Sequence, residues 1–303
     1  MHMADALVSP FVGAAFWVVS GSLIGYSAKK ISEENDPVKT PLMGVLGAFV
    51  FAAQMINFSI PGTGSSGHIG GGLLLAVLLG PYRAFITLAS VLIVQCLFFA
   101  DGGLLALGCN MLNLAFFPAF IAYPFVYRII AGESLSPVRL GAGCIAAAAA
   151  GLFLGSFSVI VETVLSGISE LPFMTFASFM LPIHLVIGVV EGLVTWAVLS
   201  FIAKTEPGIL RVQKGSGMPR FTLAAFTLAA LIAGGIGGWI ASTHPDGLEW
   251  SIARAGGREV PGSAVNAEIS VWGIAGVVSV LFVAGTTGFV LGRKQSAAVD
   301  EEV

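Results

Sequence analysis

Apolar residues run through this chain in stretches of about 20, the length needed to cross a hydrocarbon core. Candidate spans cover 8–28, 42–59, 69–80, 84–100, 104–127, 140–165, 175–203, 221–241 and 270–292. The third is short and glycine-rich, a segment that can sit inside a bundle without crossing on its own. The pattern predicts an all-α fold: a polytopic transmembrane bundle of about seven spans, then a two-span helical hairpin with an outer loop. Polar positions gather between the runs. The stretch 204–220 carries Pro207, Gly215, Gly217 and Pro219 as breakers and reads as a cytoplasmic linker. It divides the chain into a 1–203 bundle and a 221–303 hairpin unit. No internal repeat is visible, which disfavours an inverted-repeat secondary transporter.

Composition agrees with a membrane solvent. Hydrophobic residues make up 56% of the chain and charged ones only 10%, against roughly a quarter charged in soluble domains. The few basic residues decide orientation. Lys29, Lys30, Arg83, Arg128, Arg139, Lys204, Arg211, Lys214, Arg220, Arg293 and Lys294 all fall on one side of the predicted spans. Asp101, Glu170, the 242–269 segment and the N-terminus fall on the other. The expectation is a multi-pass protein of the cytoplasmic (inner) membrane, N-terminus outside and C-terminus inside, with the lipid bilayer as its medium. The net charge of −3 gives no footing for a nucleic-acid partner. Cys96, Cys109 and Cys144 stand singly in apolar surroundings and suggest neither disulfides nor a thiolate site.

Chemistry is concentrated in two places. The first is the start, Met1-His2-Met3. The α-amine of Met1, the amide nitrogen of His2 once deprotonated, and Nδ1 of its ring can close fused chelate rings in one plane. That tetragonal nitrogen set suits Ni(II) or Cu(II). A bulky second residue blocks removal of the initiator Met, and the opening residues lack the basic n-region of a secretory signal, with Asp5 the only early charge besides the amine. Met1-His2 is therefore expected to remain on the mature chain.

The second place is Ile60-Pro61-Gly62-Thr63-Gly64-Ser65-Ser66-Gly67-His68-Ile69-Gly70-Gly71-Gly72. Gly62 and Gly67 have phosphate-loop spacing, but His68 and Ile69 stand where that motif needs lysine and a hydroxyl. No ATP site is expected in this chain. Irregular backbone at membrane depth is tolerated where protein buries it or it lines a cavity. Thr63, Ser65 and Ser66 can pair with backbone groups or ring nitrogens. His68 is the one strong metal ligand of the loop, on the same outer side as His2. Together with Met1 the two histidines offer four nitrogens; a histidine hydrogen-bonded within a re-entrant turn is the alternative.

Weaker candidates remain. His184 and Glu191, two turns apart on the seventh span, are a possible metal stop or pathway pair, or a structural bond between spans. Glu162 and Asp101 can attract cations or simply sit solvated. Gln54 and Asn57 can bond across helices or support the ring nitrogens from behind. The Gly234/Gly235/Gly237/Gly238 and Gly285/Gly288/Gly292 clusters read as close-packing surfaces. Neither H-E-x-x-H, G-x-S-x-G nor a Cys–His pair appears, so an enzyme is not expected.

The opening residues through Pro10 resemble the Met-His-x-x-(Asp/Glu)-Gly-Phe-Leu-Ser-Pro start of the CbiM/NikM family, with Ala6-Leu7 where that family has Gly-Phe. Ala48–Phe58, Ser66-Gly67-His68, Leu79-Gly80-Pro81, Asp101–Gly108 and Asn110 extend the resemblance over most of 1–203. His244-Pro245-Asp246-Gly247-Leu248-Glu249 resembles the PDGLE domain of NikN-type small components. The resemblance implies the substrate-capture component of an energy-coupling-factor (ECF) transporter, an ABC type, for Ni²⁺ or Co²⁺. The ion is held by the Met1 amine, the His2 amide and ring, and the His68 ring. Partners implied are a membrane coupling subunit of CbiQ/NikQ type and cytoplasmic ATPases of CbiO/NikO type. A partner-independent channel and a scaffold that binds no ion are the competing readings.

Overall fold

The structure, a computed structural model, describes residues 1–34, 36, 39, 42–132, 136–205, 219–257 and 271–300, with side chains as far as Leu291 in the last helix. Seven helices are long and apolar enough to cross a membrane. They are α1 (Pro10–Glu34), α4 (Pro81–Phe99), α5 (Leu107–Ile130), α6 (Pro137–Ser166), α7 (Phe173–Thr205), α8 (Arg220–Ile240) and α10 (Val271–Asp300). The fold is a helical polytopic bundle. Large apolar side chains such as Phe11, Val138, Phe221 and Trp272 stand exposed on its helices, as expected for surfaces that face lipid.

Two of the nine predicted runs are not full crossings. Helices α2 (Leu42–Gln54) and α3 (Gly72–Leu79) have 13 and 8 residues, about 20 and 12 Å at 1.5 Å per residue. Both are almost wholly buried, as helices apolar on every side should be. The helical run breaks because glycine takes over. Gly62, Gly64 and Gly71 have φ of 76°, 73° and 74°, left-handed backbone that ends regular structure. Between the short helices lies an antiparallel hairpin, β1 (Phe58–Ile60) with β2 (Ser65–Gly67), in which Ser59 opposes Ser66. The linker prediction falls mainly on residues outside those described; α7 ends at Thr205 and α8 starts at Arg220.

Small residues let the helices approach. A Cβ on Gly188 of α7 would lie 2.7 Å from the Ala149 Cα of α6, and one on Gly192, a turn further, 2.4 Å from the Ile145 Cα. A Cβ on Gly44 of α2 would lie 2.9 Å from Gly285 Cα, so α10 is seated directly on the first unit. Helix α8 also packs on α2. The middle of α5 widens into π-helical turns over 112–127, with Pro118 and Pro124 inside. Each proline removes a donor from the ladder, and the wider turn absorbs the mismatch.

Gly192→Leu should force α6 and α7 apart, since overpacking a tight contact costs about 1–3 kcal/mol. A lower melting temperature in detergent is the expected result, with Gly192→Ala intermediate.

Candidate functional site

At one end of the bundle the first residues of the chain enter between helices. The Asn110 amide clamps Met3 from both sides: Met3 N donates to Oδ1 at 2.7 Å, and Nδ2 donates to the Met3 carbonyl at 3.1 Å. Gly103 N donates to the same carbonyl at 2.8 Å. The Asp5 carboxylate accepts from Ala106 N at 3.1 Å. Asp5 is thus a tether between the tail and the 101–106 loop. Met1 and Met3 are buried.

The His2 ring sits between Asp101 and His68. Its Nδ1 lies 3.4 Å from Asp101 Oδ1, and its buried Nε2 has no hydrogen-bond partner. The rings of His2 and His68 stack with centroids 5.1 Å apart and planes at 26°. His68 Nδ1 is 3.1 Å from the Ile69 carbonyl oxygen, which can only accept. The proton therefore belongs on Nδ1, and the Nε2 lone pair is left for a ligand.

What fixes His68 is the turn that follows it. Glu191 on α7, fully buried, accepts from Gly70 N at 2.8 Å with one carboxylate oxygen and from Gly71 N at 3.1 Å with the other. Gln54 at the end of α2 donates to the Gly70 carbonyl at 2.7 Å and accepts from Gln95 of α4 at 2.8 Å. Every polar main-chain group of the turn that meets these side chains is thereby paired.

The segment after α8 lies across the hairpin. Ser66 N donates to the Pro245 carbonyl at 2.8 Å, and Ser66 Oγ reaches the His244 and Pro245 carbonyls at 2.8 and 3.1 Å. Ser242 N donates to the Asn57 carbonyl at 2.8 Å, and Trp250 Nε1 to the Thr63 carbonyl at 3.0 Å. Asp246 caps the short helix α9 (Gly247–Ala255), accepting from Glu249 N at 2.8 Å through Oδ1. Its Oδ2 accepts from the Met1 ammonium at 3.3 Å. Burial alone raises a carboxyl; here the Met1 ammonium and the Glu249 amide outweigh it and hold Asp246 well below the usual carboxylate range.

The predicted residues therefore separate by task. Met1, His2 and His68 come together. Asp5, Gln54, Ser66 and Glu191 hold the segments that carry them. Asn57 lies beyond the end of α2 and meets the strap after α8 through its carbonyl. His184 does not pair with Glu191: its Nδ1 faces the Met180 carbonyl at 2.8 Å, and its ring borders a small cavity shared with Met1, His68, Asp246 and Gly247. Sequence reasoning missed Asp246 as a partner of the amine, and it gave Asn110 and Gln95 no task. Asp246 is 245 positions from Met1, and no local pattern carries such a pairing. A cleft of about 440 Å³ leads to the rings, lined by His2, His68, Asp101, Asp246 and Glu249. Among the described residues, no three His, Cys, Asp or Glu side chains form a group able to hold a metal.

Seven helices long and apolar enough to cross a membrane, with the first residues of the chain set beside two stacked imidazoles, define a multi-pass membrane protein. The chain belongs to the CbiM family, whose description, cobalt uptake substrate-specific transmembrane region, matches residues 2–209. A PDGLE domain matches residues 220–270. A relative from Archaeoglobus fulgidus, provisionally named fused nickel transport protein NikMN, is 37% identical over 77% of this chain and 74% of its own. One from Lactiplantibacillus plantarum, provisionally named fused nickel transport protein LarMN, is 32% identical over 68% of this chain and 66% of its own. The crystal structure of a truncated transition-metal transporter superposes with a TM-score of 0.59 at 29% identity, covering 68% of this chain and 99% of that one.

Burial, then the Met1 ammonium, lowers the His2 ring from 6.5 to about 3. The same causes, with the His2 ring added, lower His68 to about 4. A depressed imidazole favours the inserted state above the free-chain value and loses that contribution as pH falls. Insertion of the tail should therefore hold at pH 7 and weaken progressively below about 6.5. NMR titration of the ring ¹³Cε1 signals checks this; midpoints near 6.5 for both rings would contradict their burial.

Proposed function

We propose that this chain is the metal-binding subunit of an ECF-type ABC transporter for Ni²⁺ or Co²⁺, capturing the ion with high affinity from outside the cytoplasmic membrane. The observation that carries the reading is the stacked pair His2 and His68 beside the buried Met1 amine. In this reading Met1 is retained with a free amine. The ligands are that amine, the deprotonated His2 amide, His2 Nδ1 turned from Asp101 to the ion, and His68 Nε2. Fused five- and six-membered chelate rings favour a planar nitrogen set. Family membership supports metal uptake. The names of the fused relatives, both for nickel, and the planar amide-containing site tilt the substrate towards Ni²⁺.

The bundle of 1–203 is the capture unit, joined through 204–220 to a NikN-like unit, 221–303. The basic residues near Lys29, Arg83, Arg128 and Lys204 support a cytoplasmic side opposite the site, hence N-out and C-in. Seven crossings and nine give the same parity, so the short α2–α3 pair leaves this orientation unchanged. The acidic cleft with Asp101, Asp246 and Glu249 concentrates cations at the entrance. Phosphate-loop chemistry is missing from 60–72, where His68 and Ile69 replace the needed residues. ATP hydrolysis then falls to ATPases of CbiO/NikO type, linked through a coupling subunit of CbiQ/NikQ type.

One glycine added ahead of Met1 carries the amine out of the chelate. High-affinity Ni²⁺ binding by isothermal titration should be lost in that variant; unchanged affinity means the ligand set is wrong. His68→Ala keeps the three donors of the first two residues and should lose metal uptake in cells. Normal uptake by His68→Ala would make this a turn histidine only.

A further inference from the structure

The C-terminal unit does more than adjoin the bundle. Its strap, His244-Pro245-Asp246-Gly247, is tied to β2 by the Ser66 amide and hydroxyl, and Ser66 and Asp246 form a parallel bridge. Gly247 makes the close seat possible: a Cβ there would lie 3.0 Å from His184 Cε1 and 3.1 Å from Ile187. The seat brings Asp246 to the Met1 amine, whose residue is only 3% exposed in its side chain while that of Asp246 is 20% exposed. A charge taken out of water needs a partner, and among the described residues the amine's ion-pair partner is Asp246.

We propose that Asp246 is a positioning residue of the capture site, supplied by the C-terminal unit: it holds the Met1 amine in place and faces the positive charge of the bound ion. The proposal rests on the ligand set given under Proposed function. A divalent ion with one deprotonated amide leaves a net single positive charge at the centre, the same as the ammonium in the metal-free protein. The carboxylate therefore faces the same single positive charge in both states, and the strap need not leave for the ion to be held. Partners that orient ligands from behind typically carry tenfold to a hundredfold of metal affinity.

Asp246→Asn isolates this role. Asparagine keeps an oxygen for the Glu249 amide and caps a helix about as well as aspartate, so α9 stays in place and only the charge is lost. Ni²⁺ is titrated into the full chain with an untagged N-terminus, purified in detergent. Asp246→Asn should bind about tenfold to a hundredfold more weakly with the ligand-field spectrum of the wild type, because the four nitrogens are unchanged. Asp246→Glu should recover part of the loss. Gly247→Ala, which lifts the strap off His184 without touching the carboxylate, should weaken binding in the same direction. His68→Ala is run in parallel. Wild-type affinity in Asp246→Asn, with binding weakened in His68→Ala, overturns the role of Asp246 and leaves the capture site standing. Wild-type affinity in both overturns the capture site itself. Equal loss in Asp246→Asn and Asp246→Glu, with an altered spectrum, makes Asp246 a purely structural cap and also overturns the proposal.

Discussion

Three non-helical pieces of chain meet at one end of this bundle, and each brings main-chain donors and acceptors that lipid cannot satisfy. An unpaired amide in hydrocarbon costs several kcal/mol, so the pieces must satisfy one another or borrow buried side chains. The tail at Met3 borrows Asn110 and Gly103; the turn at Gly70 and Gly71 borrows Glu191 and Gln54; the hairpin edge at Ser66 borrows the strap at Pro245. The site's geometry is a by-product of that pairing. His2 rides on a clamped tail and His68 on a clamped turn, which is why two rings from distant parts of the chain come to stack.

The side chains that do the clamping share a chemical logic. Asn110 and Gln54 are amides, each able to donate and accept at once. Glu191 spends both oxygens on amide hydrogens of consecutive residues, an arrangement no neutral side chain of that length reproduces. Gly70 lets the backbone come close enough for this, since a side chain there would press on Glu191 itself, and Gly71 leaves room for Val50 of α2. Rigid helices α2, α4, α5 and α7 supply these groups. The ligands therefore sit on short segments whose supports are fixed in the bundle.

Much of this was legible in the residues themselves, and the boundary of legibility is physical. Long apolar runs such as 140–165 and 175–203 announce crossing helices because a bilayer imposes length and composition together. The run at 42–59 misleads by the same measure, whereas 69–80, short and glycine-rich, already reads as a segment that need not cross on its own. Hydropathy cannot tell a span from a buried half-helix, and only the glycines with left-handed backbone at 62, 64 and 71 mark the interruption. His2 and His68 stood out because imidazole is rare in apolar sequence. Asp246 did not, since an aspartate before Gly247 reads first as a helix cap, and it is one. Its second task, at the Met1 amine, depends on a fold that returns the chain to its own start.

That return has a consequence for how the two units associate. The strap and the tail it meets belong to one polypeptide, so their encounter is unimolecular and insensitive to how much protein the membrane contains. Covalent linkage sets an effective concentration that a free partner would have to match by affinity alone. The strap's own hold, one ion pair, three hydrogen bonds from Ser66, two more at Asn57 and Thr63 and a glycine seat, then adds to the packing of α8 and α10 on α2 and can stay occupied in a fused chain. Cut into two chains, strap and tail would stay together only as firmly as the packing of α8 and α10 on α2 held the two units in the membrane.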